Sequence, residues 1–125
     1  MEIKELTKAE EQIMQVLWEI EKGFVKDIIE ILPEPKPAYN TVSTIIRILE
    51  TKGFANHLTL GNSHQYFPVI TREQYQSFAT DKLLHNYFGN SVEKMLSFFV
   101  KKEKIDLEEA DEILKLIGNF KKNKS

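Results

Sequence analysis

The chain has 125 residues, 42% of them hydrophobic, which suits one domain, or one domain with an appendage, built around a buried core. It has no cysteine, which excludes disulfides, a thiol nucleophile and a cysteine-ligated metal. Its 17 Lys and Arg against 19 Asp and Glu give a net charge of −2, whereas nucleic-acid-binding domains are usually basic. No apolar run approaches the roughly 18 residues of a membrane span, and the first residues lack a signal-peptide pattern. We therefore expect a cytoplasmic protein without membrane insertion.

Two amphipathic helices are predicted at the start of the chain. Thr7 and Glu10 have the spacing of a capping box, in which each side chain accepts a hydrogen bond from the other residue's backbone N–H. The apolar residues that follow with helical spacing are Ala9, Ile13, Val16, Leu17 and Ile20, and then, after Gly23, Val25, Ile28, Ile29 and Leu32. Prolines at 33, 35 and 37 end the second helix and predict an extended, stiff connector.

A third helix is predicted from Ala38 to Gly53. Its apolar residues recur at i, i+3, i+4 and i+7, at Val42, Ile45, Ile46 and Leu49. The opposite face has short hydrogen-bonding side chains and one cation, namely Asn40, Thr41, Ser43, Thr44 and Arg47. Such a face is typical of an ordinary solvated surface or of a helix that lies in a DNA groove.

The hydrophobic period changes from helical to alternating after Gly53. The runs 54–60 and 65–67 flank Gly61-Asn62-Ser63, which is a hairpin turn signal. Three helices followed by a hairpin are typical of a winged helix-turn-helix, in which the third helix reads DNA and the hairpin is the wing. We therefore predict a mainly α fold with a winged-helix domain over residues 1–70 and a helical dimerisation domain over residues 71–125.

The second predicted domain consists of three amphipathic helices. Thr71 and Gln74 form another capping box, Gly89-Asn90 breaks the helix, and Ser91 and Asp106 can cap the next two. So much apolar surface on a small appendage predicts a homodimer, and the alternative is that these helices pack back on the winged domain as a monomer. The predicted dimerisation residues are Tyr75, Phe78, Leu83, Tyr87, Phe88, Val92, Met95, Leu96, Phe99, Ile113, Leu114 and Ile117.

No catalytic constellation is present in the sequence. Metalloprotease, nucleophile-elbow and phosphate-loop motifs are all missing, so we predict no enzyme, no cofactor and no metal. His57 and His64 can face each other across the hairpin, but a third ligand or an orienting acid at telling spacing is missing. A small metal-dependent enzyme built on these two histidines is therefore a remote alternative.

The remaining polar residues indicate double-stranded DNA as the partner. The residues suited to base edges are Asn40, Thr41, Ser43 and Thr44. The cations suited to phosphates are Arg47 and Lys52, with Lys26 and Lys36 as additions, and the wing offers Asn62, Ser63 and His64. Residues 1–70 hold seven Lys and Arg against ten Asp and Glu, a charge of −3. This charge favours the main alternative, a winged-helix protein-interaction module that no longer binds DNA.

The ordered segments of this chain resemble those of the penicillinase-repressor family, which includes the methicillin-resistance repressors. LTKAEEQIMQVLW resembles the family's opening, YNTVSTIIRILETKGF its recognition helix and GNSHQYFPV its wing. The segment from ITREQYQSF to DEILKLI resembles its dimerisation helices. The resemblance implies a homodimeric transcriptional repressor on palindromic operator DNA.

The resemblance also implies a mechanism of relief. In the family, a membrane-bound sensor metalloprotease leads to cleavage in the dimerisation region, and the matching bond here is Ser97–Phe98. Family members often have Asn before this Phe. They also commonly have a basic residue where this chain has Asn62, and Arg where it has Ile48. The copper-responsive members have a cysteine site, which this chain lacks.

Overall fold

The computed structural model describes residues 2–124, and the side chains of residues 2–118. The elements are α1 (Lys8–Ile20), α2 (Val25–Ile31), α3 (Tyr39–Thr51), β1 (Ala55–Leu60), β2 (Ser63–Pro68), α4 (Arg72–Phe88), α5 (Val92–Lys101) and α6 (Leu107–Lys124). This order confirms the predicted mainly α fold with one antiparallel hairpin. No helix in the described part of the chain is long and apolar enough to span a bilayer.

The chain divides into two compact units, Met1–Phe78 and Ala79–Ser125, which we call the winged unit and the C-terminal unit. The division lies within α4, further along the chain than the boundary predicted after residue 70. Tyr75 accounts for this difference, because its ring is buried between Trp18 and Phe54 and its hydroxyl accepts the Leu6 N–H at 3.1 Å. The first turns of α4 therefore belong to the winged unit.

The start of α1 is fixed by the predicted capping box. The Glu10 N–H donates to Thr7 Oγ1 at 3.2 Å, and the Thr7 N–H donates to Glu10 Oε1 at 2.9 Å. At the other end of α1, Gly23 exchanges backbone hydrogen bonds with Tyr66 of β2, at 2.9 and 2.8 Å. A Cβ added at Gly23 would lie 2.7 Å from Ile20 Cδ1, so the end of the Ile20 side chain would have to shift to admit a larger residue. This bridge ties the wing to the turn before α2.

The predicted third helix forms with its apolar face inward. Val42, Ile46 and Leu49 are fully buried, and Ile45 is half-buried against the same core. The helix packs on α1, α2 and β1, so its position is set by the rest of the winged unit. Its remaining face is directed away from this core.

The wing is a regular antiparallel hairpin. Its register pairs His57 with Tyr66, Thr59 with His64 and Leu60 with Ser63, across a two-residue turn at Gly61 and Asn62. Gly61 has φ +62°, a conformation that favours glycine. The turn signal in the sequence therefore predicted the wing correctly.

The C-terminal unit holds the end of α4 with α5 and α6. The predicted caps form, since Ser91 Oγ accepts the Lys94 N–H at 3.1 Å and Asp106 Oδ1 accepts the Glu109 N–H at 2.8 Å. Gly89 and Asn90, both with positive φ, end α4 where the sequence predicted a break. Among the described hydrophobic side chains of this unit, only Leu96 and Ala110 are buried.

Candidate nucleic-acid interface

The polar face of α3 is open to solvent. Asn40, Thr41, Thr44 and Arg47 are exposed, and Ser43 is half-buried. Within residues 2–124, the side chains of Asn40, Thr41 and Thr44 make no hydrogen bond to other protein groups. Their donors and acceptors are therefore available to a ligand that lies along the helix.

Arg47 is held along the helix surface. Its Nε donates to the Ser43 carbonyl at 3.2 Å, and its Nη2 lies 3.4 Å from Ser43 Oγ. A guanidinium has five N–H donors, so these two contacts orient the group and leave other donors for an anion. No acidic side chain pairs with Arg47 in the described chain. The charge is thus directed along the exposed face.

A cleft of about 290 Å³ lies between the start of α2, α3 and the wing turn. Its lining includes Ser43 of α3 and both Asn62 and His64 of the wing, which were predicted in two separate elements. The exposed cation Lys26 of α2 also lines the cleft. The other lining residues are Phe24, Val25, Tyr39, Ser63 and Tyr66. The predicted recognition helix and the predicted wing therefore border one recess, which is lined by polar, aromatic and aliphatic side chains and by the cation Lys26.

The two wing histidines lie together, as their spacing predicted. The ring centroids of His57 and His64 are 4.2 Å apart, and His57 Nδ1 lies 2.6 Å from Glu50 Oε2 on α3. Burial and the negative charge of Glu50 raise the pKa of the neighbouring Tyr66. No group of three His, Asp or Glu side chains in the described residues has the geometry to hold a metal ion.

Lys52 has a protein partner that the sequence did not reveal. Its Nζ lies 2.6 Å from Oε1 of Glu10, a residue that is only 5% exposed. Burial raises the pKa of Glu10, but hydrogen bonds from Lys52 and Thr7 outweigh it and leave the pKa below its ordinary value. The structure therefore places Lys52 in an ion pair between α1 and the end of α3 rather than on the open face.

Lys36 also contacts the protein itself. Its Nζ donates to the carbonyls of Glu30 and Leu32, at 2.7 and 2.5 Å, where α2 ends. A cation at this position satisfies carbonyls that the helix leaves unpaired and complements the helix dipole. Lys36 is exposed like Arg47 and Lys26, but two of its three ammonium N–H donors are engaged by these carbonyls.

Two further exposed residues lie on α3. Tyr39, which is not among the predicted site residues, is 59% exposed at the first position of the helix and lines the cleft. Ile48, where family members commonly have Arg, is 41% exposed one position after Arg47. Tyr39 is four residues before Ser43, so helical spacing alone could have placed it on the same side.

The candidate dimerisation residues lie in different environments. Tyr75 and Phe78 pack in the winged unit, and Leu96 is buried in the C-terminal unit. The half-buried members are Phe88, Val92, Met95, Phe99, Ile113 and Ile117, and the exposed ones are Leu83, Tyr87 and Leu114. Ser97 and Phe98, at the candidate cleavage bond, are both exposed on α5.

The helices and hairpin of the winged unit define a winged helix-turn-helix protein. The family model described as "Penicillinase repressor" matches residues 6–119, so the chain belongs to the penicillinase repressor family. The penicillinase repressor of Bacillus licheniformis is 23% identical over 123 residues, which cover 98% of this chain and 96% of that protein. The solution structure of the DNA binding domain of the repressor BlaI matches 59% of this chain and 92% of that one, with a TM-score of 0.52 and 27% identity.

Proposed function

We propose that this protein is a DNA-binding transcriptional repressor that acts in the cytoplasm as a homodimer on twofold-symmetric operator DNA. The observation that carries the proposal is the open polar face of α3 beside the wing, in a chain of the penicillinase repressor family. A relative of that family is named for its repressor activity and a similar solved domain for its DNA binding.

The base-reading residues are those of the α3 face. Asn40 is suited to the paired donor and acceptor of adenine, and Thr41, Ser43 and Thr44 can bond several bases or meet the thymine methyl. Their hydroxyl and amide groups are short, so they read bases only if α3 lies deep in the major groove. Tyr39 and Ile48 add apolar surface to the same helix.

The phosphate contacts come from Arg47 and Lys26, with Asn62 and His64 of the wing. We assign Lys52 and Lys36 to the fold instead, because their ammonium groups already have protein acceptors. Two cations per protomer give four per dimer, so the slope of log K against log salt should be shallow, about −3 to −4. A basic reader with more phosphate contacts would show a steeper slope.

The C-terminal unit supplies the contact between protomers. Its exposed large apolar side chains are Leu83, Tyr87, Phe98, Leu107, Leu114 and Leu116. A single copy buries little of this surface, and a twofold pair is the commonest way to cover such a patch. Pairing also doubles the number of cations that contact one DNA molecule. These added contacts offset the unfavourable effect of the winged unit's negative charge on DNA binding.

Relief of repression by proteolysis at Ser97–Phe98, through a membrane sensor metalloprotease, is part of the same proposal. The bond lies inside α5, with Phe98 near Phe88 and Phe99 at centroid distances of 5.7 and 6.2 Å. Because proteases bind extended backbone, α5 must unwind locally before cleavage. Mass spectrometry of the protein from induced cells should then find fragments that end at Ser97 and begin at Phe98; an intact chain in derepressed cells would contradict this step.

DNA binding is tested first with a random duplex pool and with DNA from the protein's own promoter region. Selected duplexes are then titrated with the wild type, Arg47→Ala, Thr44→Ala and the control Gln12→Ala, which alters an exposed residue of α1. Arg47→Ala should weaken binding to all duplexes, whereas Thr44→Ala should change preference at one position by about 1–3 kcal/mol. Unchanged affinity after replacing Asn40, Thr44 and Arg47 together would overturn the assignment.

A protein-interaction module is the second candidate, and the charge of −3 on residues 1–70 favours it. That function predicts no enrichment of any sequence from the random pool. It also predicts that the open face of α3 binds a protein, so that Arg47→Ala affects co-purification rather than DNA affinity.

A further inference from the structure

Aromatic rings form much of the lining of the cleft between α3 and the wing. The rings are those of Phe24, Tyr39, His64 and Tyr66. Tyr66 is buried, whereas Tyr39 is 59% exposed and leaves much of its ring uncovered. Small-molecule sites in proteins are concave and mostly apolar or aromatic, with a few polar groups that orient the ligand. The lining therefore suits a ligand with a flat apolar part.

The charge of the cleft favours an anion. Lys26 lines the cleft, is exposed and makes no ion pair within the described chain. No Asp or Glu is among the described lining residues, although residues 1–70 as a whole have a charge of −3. The side chains of Ser43, Asn62 and Ser63 add hydrogen-bonding groups. An anion that enters the cleft therefore meets a free ammonium group and no opposing carboxylate.

The volume of the cleft limits the size of its ligand. A protein cavity of about 150 Å³ holds one benzene molecule. The cleft measures about 290 Å³, so it has room for one ring, a carboxylate and a further small substituent. This volume is at the lower end of the range that is usual for drug-sized ligands, about 300–1,000 Å³. A ligand with a single aromatic ring is therefore expected.

We infer that the cleft between α3 and the wing binds a small aromatic carboxylate, and that this ligand competes with DNA. Its ring packs against the aromatic lining and its carboxylate pairs with Lys26. The competition rests on the proposed function, whereas the ligand site itself does not require DNA. A ligand of about ten non-hydrogen atoms makes few contacts in an open cleft, so the dissociation constant should be on the order of 0.1–1 mM.

Competition follows from the groups that the two partners share. Lys26, Ser43, Asn62 and His64 line the cleft and are also proposed to contact DNA. Free ligand at about ten times its dissociation constant should therefore raise the apparent dissociation constant for DNA about elevenfold for each winged unit that contacts DNA. The ligand would release the repressor by a route that does not involve cleavage at Ser97–Phe98.

The first experiment measures ligand binding to the full chain without DNA. Proton–nitrogen NMR spectra follow the backbone amides during titration with sodium benzoate at constant ionic strength. Saturable shifts are expected at the amides of Lys26, Tyr39 and Asn62. Benzyl alcohol has the ring without the charge, and acetate has the charge without the ring. Each should bind about tenfold more weakly than benzoate, or weaker still.

Substitutions separate the contribution of the cation from that of the rings. Lys26→Met should weaken benzoate binding about tenfold and leave the affinity for benzyl alcohol unchanged. Tyr39→Ala should weaken the binding of both ligands, about threefold to tenfold. Lys22→Met removes an exposed cation that does not line the cleft and is the matched control, which should bind benzoate like the wild type. Circular dichroism establishes that each variant folds.

The second experiment measures competition by the fluorescence anisotropy of a selected duplex. Benzoate should raise the apparent dissociation constant for DNA in the wild type, whereas acetate at the same concentration and ionic strength should not. The rise should be smaller in Lys26→Met at the same benzoate concentration, because less of that variant has ligand bound.

Four outcomes overturn the inference. Benzoate binding fails to shift the amides of the cleft, or Lys26→Met leaves it unchanged. Acetate or inorganic phosphate binds as tightly as benzoate, which would make the cleft a site for any small anion. Saturating benzoate leaves the affinity for DNA unchanged, which would remove the competition. An absence of DNA binding without any ligand would instead overturn the proposed function, and the NMR titration would still decide whether the ligand site exists.

Discussion

The winged unit and the C-terminal unit differ in how they bury their hydrophobic side chains. The winged unit has a core to which α1, α2, α3, the wing and the start of α4 all contribute, with Phe54, Met14 and Leu17 fully enclosed. The C-terminal unit buries Leu96 and Ala110 among its described residues and leaves Tyr87 and other large side chains exposed. The first unit therefore has the core of a self-sufficient fold, whereas the second exposes the apolar surface that the proposed homodimer would bury.

The largest expected effect comes from the core of the winged unit. Phe54→Ala should lower the free energy of unfolding by about 3–5 kcal/mol, because Phe54 is 0% exposed and its removal leaves a cavity. Chemical denaturation should give the same loss of unfolding free energy at every protein concentration. Leu58→Ala, on the exposed side of the wing, is the control and should change stability by less than about 0.5 kcal/mol. A loss that varied with concentration would contradict a self-sufficient winged unit.

Substitution on the C-terminal unit should act on association instead. Tyr87 is 75% exposed in the single chain, so Tyr87→Ser should leave the fold intact and weaken the dimer by about 2 kcal/mol, as expected for a buried interface aromatic. Sedimentation velocity over a concentration series measures this shift, with Asn86→Ala as the neighbouring exposed control. Equal dimer stability in Tyr87→Ser and Asn86→Ala would show that Tyr87 lies outside the interface.

The ion pair of Glu10 and Lys52 should contribute to stability in a pH-dependent way. Glu10→Gln should cost about 1–2 kcal/mol at neutral pH, because it leaves the half-buried ammonium without its counter-charge. The lowered pKa of Glu10 means that this contribution is present above the ordinary value of 4.5 and is lost as the pH falls through the lowered value. Thermal unfolding should therefore show that the stabilities of the wild type and Glu10→Gln converge as the pH falls. A difference in stability that stays constant with pH would contradict the contribution of the ion pair.

The smallest expected effect concerns the end of α2. Lys36→Met should lower stability by about 0.5–1 kcal/mol, since two carbonyls lose their donor. For DNA binding, Lys36→Met should show the same slope of log K against log salt as the wild type. Lys26→Met should reduce the magnitude of that slope by about one per protomer. Equal slopes for both variants would contradict the assignment of Lys36 to the fold.

Local signals made much of the fold predictable from the sequence. The capping residues Thr7, Thr71, Ser91 and Asp106 all make the predicted hydrogen bonds, because a cap depends on residues two or three positions away. The helical periods and the Gly61-Asn62 turn are local in the same sense. These features set the order of elements, and that order defines the fold.

Contacts between distant segments were not predictable in this way. Glu10 and Lys52 are far apart in sequence, and no period links them, so Lys52 was predicted to contact DNA. Tyr75 was predicted as a dimerisation residue together with the later aromatic residues, because helical spacing does not show which unit a helix face contacts. The roles assigned to Asn40, Thr41, Thr44 and the dimer residues remain proposals, since they depend on partners.

Hydroxyl-radical footprinting of the wild-type chain on a selected duplex tests the central claim most directly. The claim is that two winged units read DNA because the C-terminal units pair them. It predicts two protected half-sites, related by twofold symmetry and separated by about one helical turn or a multiple of it. An unprotected duplex at concentrations where the protein is dimeric, or one protected half-site without a symmetric counterpart, would contradict it.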